Sequence, residues 1–258
     1  MSTSRNPISI DLNADLGETT GGNPVSDDAA MVAIVSSANV ACGFHAGDPH
    51  AISSTLAAAA ENNVTIGAHV GYNDVAGFGR RFIDYSPAEL ADEVLYQIGA
   101  LDALTKARGT QVRYVKPHGA MYNTIVHHEA QAKAVIEGIK AFGADLPVML
   151  LPGAVAATYA ERAGLRVINE VFADRAYNPD GTLVSRREAG AVLHDPDTVA
   201  DRVVRMAQEG TIEAIDGTTI RTAADSVCVH GDSPGAVAMA ERIAAELKAN
   251  DITIGSFL

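Results

Sequence analysis

ISIDLNADLGE, residues 8–18, alternates apolar and polar side chains. Ile8, Ile10 and Leu12 fall on one side of an extended strand, and Ser9, Asp11, Asn13 and Asp15 on the other, because side chains along a strand alternate with period two. An exposed edge strand gives this pattern. A strand of a closed parallel barrel gives it too, with the polar face turned toward an active-site mouth at its C-terminal end.

Later segments favour the barrel. Short apolar runs at 38–42, 64–69, 113–116, 148–151, 166–171 and 226–229 read as further strands, and helical patterns separate most of them. Asp48-Pro49, Ser86-Pro87, Asp195-Pro196 and Ser233-Pro234 each place an N-cap residue before a proline, whose missing N–H costs nothing at the first helical position. Glu89, three residues after Ser86, completes a capping box. Alternation of this kind makes a parallel sheet with helical crossovers, and about seven or eight units close it into a barrel. An open doubly wound sheet is the alternative. No linker, repeat or low-complexity tract divides the chain, so residues 1–258 are expected to form one (β/α)-barrel domain. Residues 212–221, with Asp216-Gly217 at their centre, read as an inserted hairpin.

Composition narrows the function. A 258-residue chain with 47% hydrophobic residues can bury a sizeable core, which excludes a disordered protein. A formal net charge of −13 argues against nucleic acid or an anionic membrane as a partner, since both need a positive footprint. No apolar run is long enough for a membrane span, and MSTSRNP lacks the apolar core of a signal peptide, so the chain reads as cytoplasmic. Cys42 and Cys228 sit in apolar runs and read as core packing. Residues 1–6, with little apolar surface to bury, are expected to be mobile.

The chemistry gathers at strand ends. His45, His69, His118 and His230 each stand close before a glycine where a strand is expected to finish. In a parallel barrel such positions converge on one mouth. Asp11, Asn13, Asp15 and Asp174 would supply proton transfer or hydrogen bonds there, together with Lys116. Arg80, Arg81, Arg175 and Arg186 lie in two long loops, residues 74–85 and 172–187, expected to overhang that mouth as a lid. With Tyr72, they are the candidates for holding an anionic substrate. No phosphate-binding loop with a following Lys-Ser or Lys-Thr is present, and no dinucleotide fingerprint. Asp15, His45 and His69 could meet at one metal, although carboxylate–imidazole clusters also serve metal-free acid–base work.

The runs DLNADLGE, NVACGFHAGDP, GAHVGYND, GFGRR, YVKPHGAMYN, EVFADRAY and VCVHGDSP together resemble the LamB/YcsF family over residues 8 to about 236. One departure is Ala189, where a proline is expected before Gly190-Ala191-Val192. The resemblance implies a seven-stranded (β/α) barrel of the glycoside hydrolase/deacetylase type. It also implies ATP-dependent opening of 5-oxo-L-proline to L-glutamate, carried out with two further subunits. The other possibilities kept open by the residues are a metal-dependent hydrolase of another amide or lactam, and a non-catalytic subunit that presents substrate.

Overall fold

A computed structural model describes residues 8–143, 145–231 and 235–258. The expectations for residues 1–6 and for the Ser233-Pro234 helix start lie outside the described residues. In chain order the strands are β1 (Ile8–Leu16), β2 (Ser37–Ala41), β3 (Thr65–Val70), β4 (Tyr114–Pro117), β5 (Val148–Leu150), β6 (Val167–Phe172), β7 (Thr211–Glu213), β8 (Thr219–Arg221), β9 (Ser226–Cys228) and β10 (Ile252–Ile254). Strands β1 to β6 pair in sequence, β6 pairs with β9, and β9 returns to β1, so seven parallel strands close a barrel. The barrel, not the open sheet, is the observed solution. β7 and β8 form the expected antiparallel hairpin outside it.

β1 shares one edge between two neighbours. β9 pairs with Asp11 to Asn13, and the unforeseen β10 pairs with Ile8 to Ile10 below it. This continues the sheet beneath the short β9. The helices are α1 (Asp28–Val32), α2 (Pro49–Glu61), α3 (Pro87–Ala107), α4 (Gly119–Thr124), α5 (Glu129–Ala141), α6 (Val155–Arg162), α7 (Pro196–Glu209) and α8 (Ala236–Ala249). Asp48, Ser86 and Asp195 cap α2, α3 and α7 as expected, each side chain accepting from the backbone N–H three residues on. None of these helices is long and apolar enough to cross a membrane.

The alternation of β1 sorts its side chains between two compartments. Ile10, Leu12, Ala14 and Leu16 belong to the main apolar core, each at most 3% exposed. Burial of each larger side chain contributes about 1.5–3 kcal/mol. Asp11, Asn13 and Asp15 instead bond residues of other strands across the barrel interior. The interior is filled in layers. At the bottom, Tyr114, Met149 and Ile168 pack together, with Phe257 from the C-terminal tail against them. Gly67 makes this possible, because a Cβ there would lie 2.3 Å from the Tyr114 ring. Above them, Asp11 accepts from Ser36 (2.7 Å), Ser37 (2.6 Å) and Ser226 (2.5 Å). Asn13 and Asn39 follow, joined at 2.6 Å, with the Tyr114 hydroxyl donating to Asn39 at 2.6 Å.

Candidate active site

The C-terminal ends of the strands open into a cavity of about 690 Å³. Lys116, at the end of β4, occupies its floor. Its Nζ lies 2.8 Å from Asp15 Oδ1, 2.7 Å from Glu170 Oε1, 3.3 Å from Asn13 Oδ1 and 3.3 Å from Cys228 Sγ. Burial alone would discharge this ammonium, but the Asp15 carboxylate first, with Glu170 beside it, outweighs that cost and holds the Lys116 pKa well above the usual lysine value. Burial likewise pushes Asp15 up, and His69 and Lys116 more than reverse that, so Asp15 stays ionised well below the ordinary range. Its cavity-facing edge keeps 18% of its side-chain surface exposed. Burial drives the Cys228 thiol well up, so it is a neutral neighbour. Glu170 is fully buried, and the ammonium is the charge that accompanies it.

Beside this floor, four buried side chains from the ends of β1 to β4 and the loops after them form a second cluster. Ligand-type atoms of Glu18, His45, His69 and His118 all lie within 4.8 Å of one another. His69 Nδ1 donates to the Lys116 carbonyl at 3.0 Å, and His118 Nε2 donates to the Phe78 carbonyl at 2.8 Å. Carbonyls only accept, so each neutral ring turns a lone pair inward. Yet His118 Nδ1 and His69 Nε2 stand 3.0 Å apart, with Asp15 Oδ2 3.3 Å from the latter. Two lone pairs and a carboxylate at such distances need a positive charge among them, either a shared proton or a cation. His45 stacks on His118 at 3.7 Å and reaches Glu18 Oε1 at 3.2 Å. Burial first, then the other histidines, lowers the pKa of both His45 and His118 well below the usual value. Gly79, at φ +61°, lets its loop cross these rings, where a Cβ would meet His45 at 2.6 Å and His118 at 2.8 Å.

A dyad lines the same mouth. His230 Nδ1 donates to Asp174 Oδ1 at 2.7 Å, and Arg186 Nη2 lies 2.8 Å from His230 Nε2. Phe172 stacks on the imidazole. Burial acts to raise Asp174, but the His230 ring, with Arg186 beyond it, holds the carboxyl below its ordinary range.

Most of the expected residues therefore meet. Asp15, His69, Lys116, His118, His230, Arg80, Arg175 and Arg186 line the cavity, with His45 and Asp174 directly behind. Both long loops contribute to it, as expected. Several residues stand elsewhere. Asp11 and Asn13 lie in the interior layers beneath the floor, because the alternation of a strand reports its face and not the depth along the barrel. Tyr72 is wholly buried, its hydroxyl bonded to Gln131. Arg81 points outward and clasps Asp74. Arg175 reaches the cavity wall, but its guanidinium is bonded to the carbonyls of Val184 (2.6 Å) and Ala191 (3.3 Å), and burial lowers its pKa to about 10. The metal candidates change as well: Glu18 and His118 join His45 and His69, and Asp15 stands beside them. Glu18 and Glu170 were not expected at the site. The signal for Glu170 was an acidic residue inside the otherwise apolar run around VINEVF, and Glu18 closes the opening acidic motif.

The closed parallel barrel, with carboxylates, imidazoles and a buried lysine at its C-terminal mouth, has a deacetylase-like fold. A family 4 carbohydrate esterase from Streptomyces lividans shares the fold, with a TM-score of 0.50 at 10% identity over 96% of this chain and 92% of that one. The chain belongs to the LamB/YcsF family, whose model matches residues 10–258. It is similar to a 5-oxoprolinase subunit from Corynebacterium jeikeium, 92% identical over the full length of both chains. The crystal structure of a lactam utilization protein from Thermus thermophilus superposes with a TM-score of 0.92 at 41% identity, covering 96% of this chain and all of that one.

Proposed function

We propose that this chain is the ring-opening subunit of an ATP-dependent cytoplasmic 5-oxoprolinase, converting 5-oxo-L-proline to L-glutamate together with two partner subunits. The names of its close relatives support the substrate. The observation that carries the chemistry is the Asp174–His230 dyad, which shares one cavity with Lys116, Arg80 and Arg186.

A five-membered lactam is a stable amide with a poor leaving group. Phosphorylation of its carbonyl oxygen by ATP makes the ring carbon electrophilic, and water adds with His230 accepting a proton. The adduct can then collapse in two ways. Loss of phosphate regenerates the lactam and wastes ATP. Cleavage of the ring C–N bond, with the nitrogen taking the proton from His230, leaves an acyl phosphate whose hydrolysis gives glutamate. Asp174 orients the imidazole and stabilises its protonated form, while Lys116, Arg80 and Arg186 offset the charge of carboxylate and phosphate.

The assay is glutamate formed per ATP consumed in the reconstituted complex. His230→Gln is expected to keep consuming ATP while glutamate formation falls about a hundredfold. A ratio equal to that of the unaltered complex overturns the role of the dyad.

The tetrad supports a metal as a second component of this reading. Glu18, His45, His69 and His118 would hold a divalent ion, in keeping with the positive charge their facing lone pairs require. Such an ion supplies Lewis acidity toward a carbonyl or phosphoryl oxygen.

A further inference from the structure

Arg186 occupies the one position from which His230 could act. A carboxylate can only accept and a guanidinium can only donate, so the contacts at 2.7 Å to Asp174 and 2.8 Å to Arg186 assign the ring without ambiguity. Nδ1 carries the proton, and the Nε2 lone pair is spent on Arg186. The imidazole is thus held in the state of a general base with its basic electrons covered. The covering side chain is exposed, sits in a long loop, and among the described residues is held by one hydrogen bond, to an uncharged ring.

We propose that Arg186 is a specificity-determining latch, drawn off His230 by the carboxylate of an anionic lactam and left in place by an uncharged one. The inference rests on the proposed 5-oxoprolinase reading for the identity of the substrate. A bidentate carboxylate–guanidinium pair is charge-assisted and stronger than one N–H bond to a neutral imidazole, so the exchange favours the substrate. Asp174 does not compete for the guanidinium with the same oxygen, since its Oδ1 is engaged by Nδ1. Arg80, Arg175 and Arg187, which line the same cavity, draw an anion toward it. A lactam without a carboxylate gains nothing from Arg186 and meets a masked base. Recognition of the carboxylate is in this way coupled to proton transfer, and selectivity is expressed in turnover as well as in binding.

The test uses the full chain labelled with nitrogen-15 in its histidines, at fixed pH, with 5-oxo-L-proline and pyrrolidin-2-one as probes. Saturating 5-oxo-L-proline is expected to move the His230 Nε2 resonance toward its unbonded position, whereas pyrrolidin-2-one leaves it unchanged. Arg186→Ala is expected to show the unbonded position with no ligand present. In the reconstituted enzyme, Arg186→Ala should raise turnover of pyrrolidin-2-one roughly tenfold, the factor for one hydrogen bond to a base, while KM for 5-oxo-L-proline increases. An Nε2 resonance that stays still while the complex converts 5-oxo-L-proline overturns the latch and leaves the function standing. A resonance that moves in a complex unable to open the ring upholds the latch and overturns the function. Equal movement with both lactams also overturns the latch.

Discussion

Lys116 is the residue on which the floor of the site depends. Its ammonium sits between Asp15 and Glu170, so Lys116→Met leaves the buried Glu170 and the half-buried Asp15 without this counter-charge, a change that typically costs about 3–5 kcal/mol for a buried pair. Urea unfolding should register that loss, and adding Glu170→Gln to the same protein should recover a kilocalorie or more, roughly the coupling found between contacting residues. If the double variant is as unstable as the sum of the two single ones, the pair is not coupled. The pH dependence has two edges. The Asp15 pKa is depressed, so its contribution is present above the ordinary 3.8 and is lost as pH falls through the lower folded value. The Lys116 pKa is raised, so its contribution is present below 10.5 and is lost as pH climbs through the higher folded value. Stability from this pair should form a plateau between those limits, absent in Lys116→Met. At this scale the sequence was informative wherever a residue stood next to the end of a strand, as Asp15, His69 and Lys116 do. It misplaced Asp11, which precedes Asp15 by four residues and hence by about 13 Å of strand. Face follows from alternation, whereas depth depends on where neighbouring strands stop.

The loop 74–85 shows the same division among elements. Its two arginines are adjacent in sequence, yet Arg80 lines the cavity and Arg81 is bound outside to Asp74, which also caps the short turn at Val75–Gly77. Arg80→Ala is therefore expected to reduce coupled activity by about tenfold or more, and Arg81→Ala by less than about twofold, since Arg81 stands outside the cavity. Equal losses in steady-state assays of the two variants would place both arginines in one role. Length, glycine content and charge marked this loop in the sequence, but the left-handed turn at Phe78 and Gly79 that leads into the two arginines was not legible. Nor was β10, whose three residues carry too short a pattern to register as a strand.

For the molecule as a whole, closure of the barrel brings Glu18, His45, His69 and His118 together from four successive strand ends. A divalent ion there ties those ends to one another, so it should stabilise the folded state alone. With zinc or cobalt at a hundred times its dissociation constant, the gain is about 2.7 kcal/mol. Differential scanning calorimetry with and without metal, alongside elemental analysis, measures it. A Tm indifferent to metal, or an equal rise in His69→Ala, removes the ion from the tetrad.

The alternating strand at residues 8–16, the proline-led helix starts and the recurring histidine-glycine turns determined a parallel α/β protein with its chemistry at one end. These are local signals, set by side-chain period, backbone dihedrals and missing donors, and they survive without a partner. Other features depended on closure: which carboxylate meets Lys116, that Glu18 and not Asp15 completes the tetrad, and that Arg186 covers His230. Each joins residues separated by tens of positions in the chain. Barrel stagger and loop packing, rather than any local preference, set their distances.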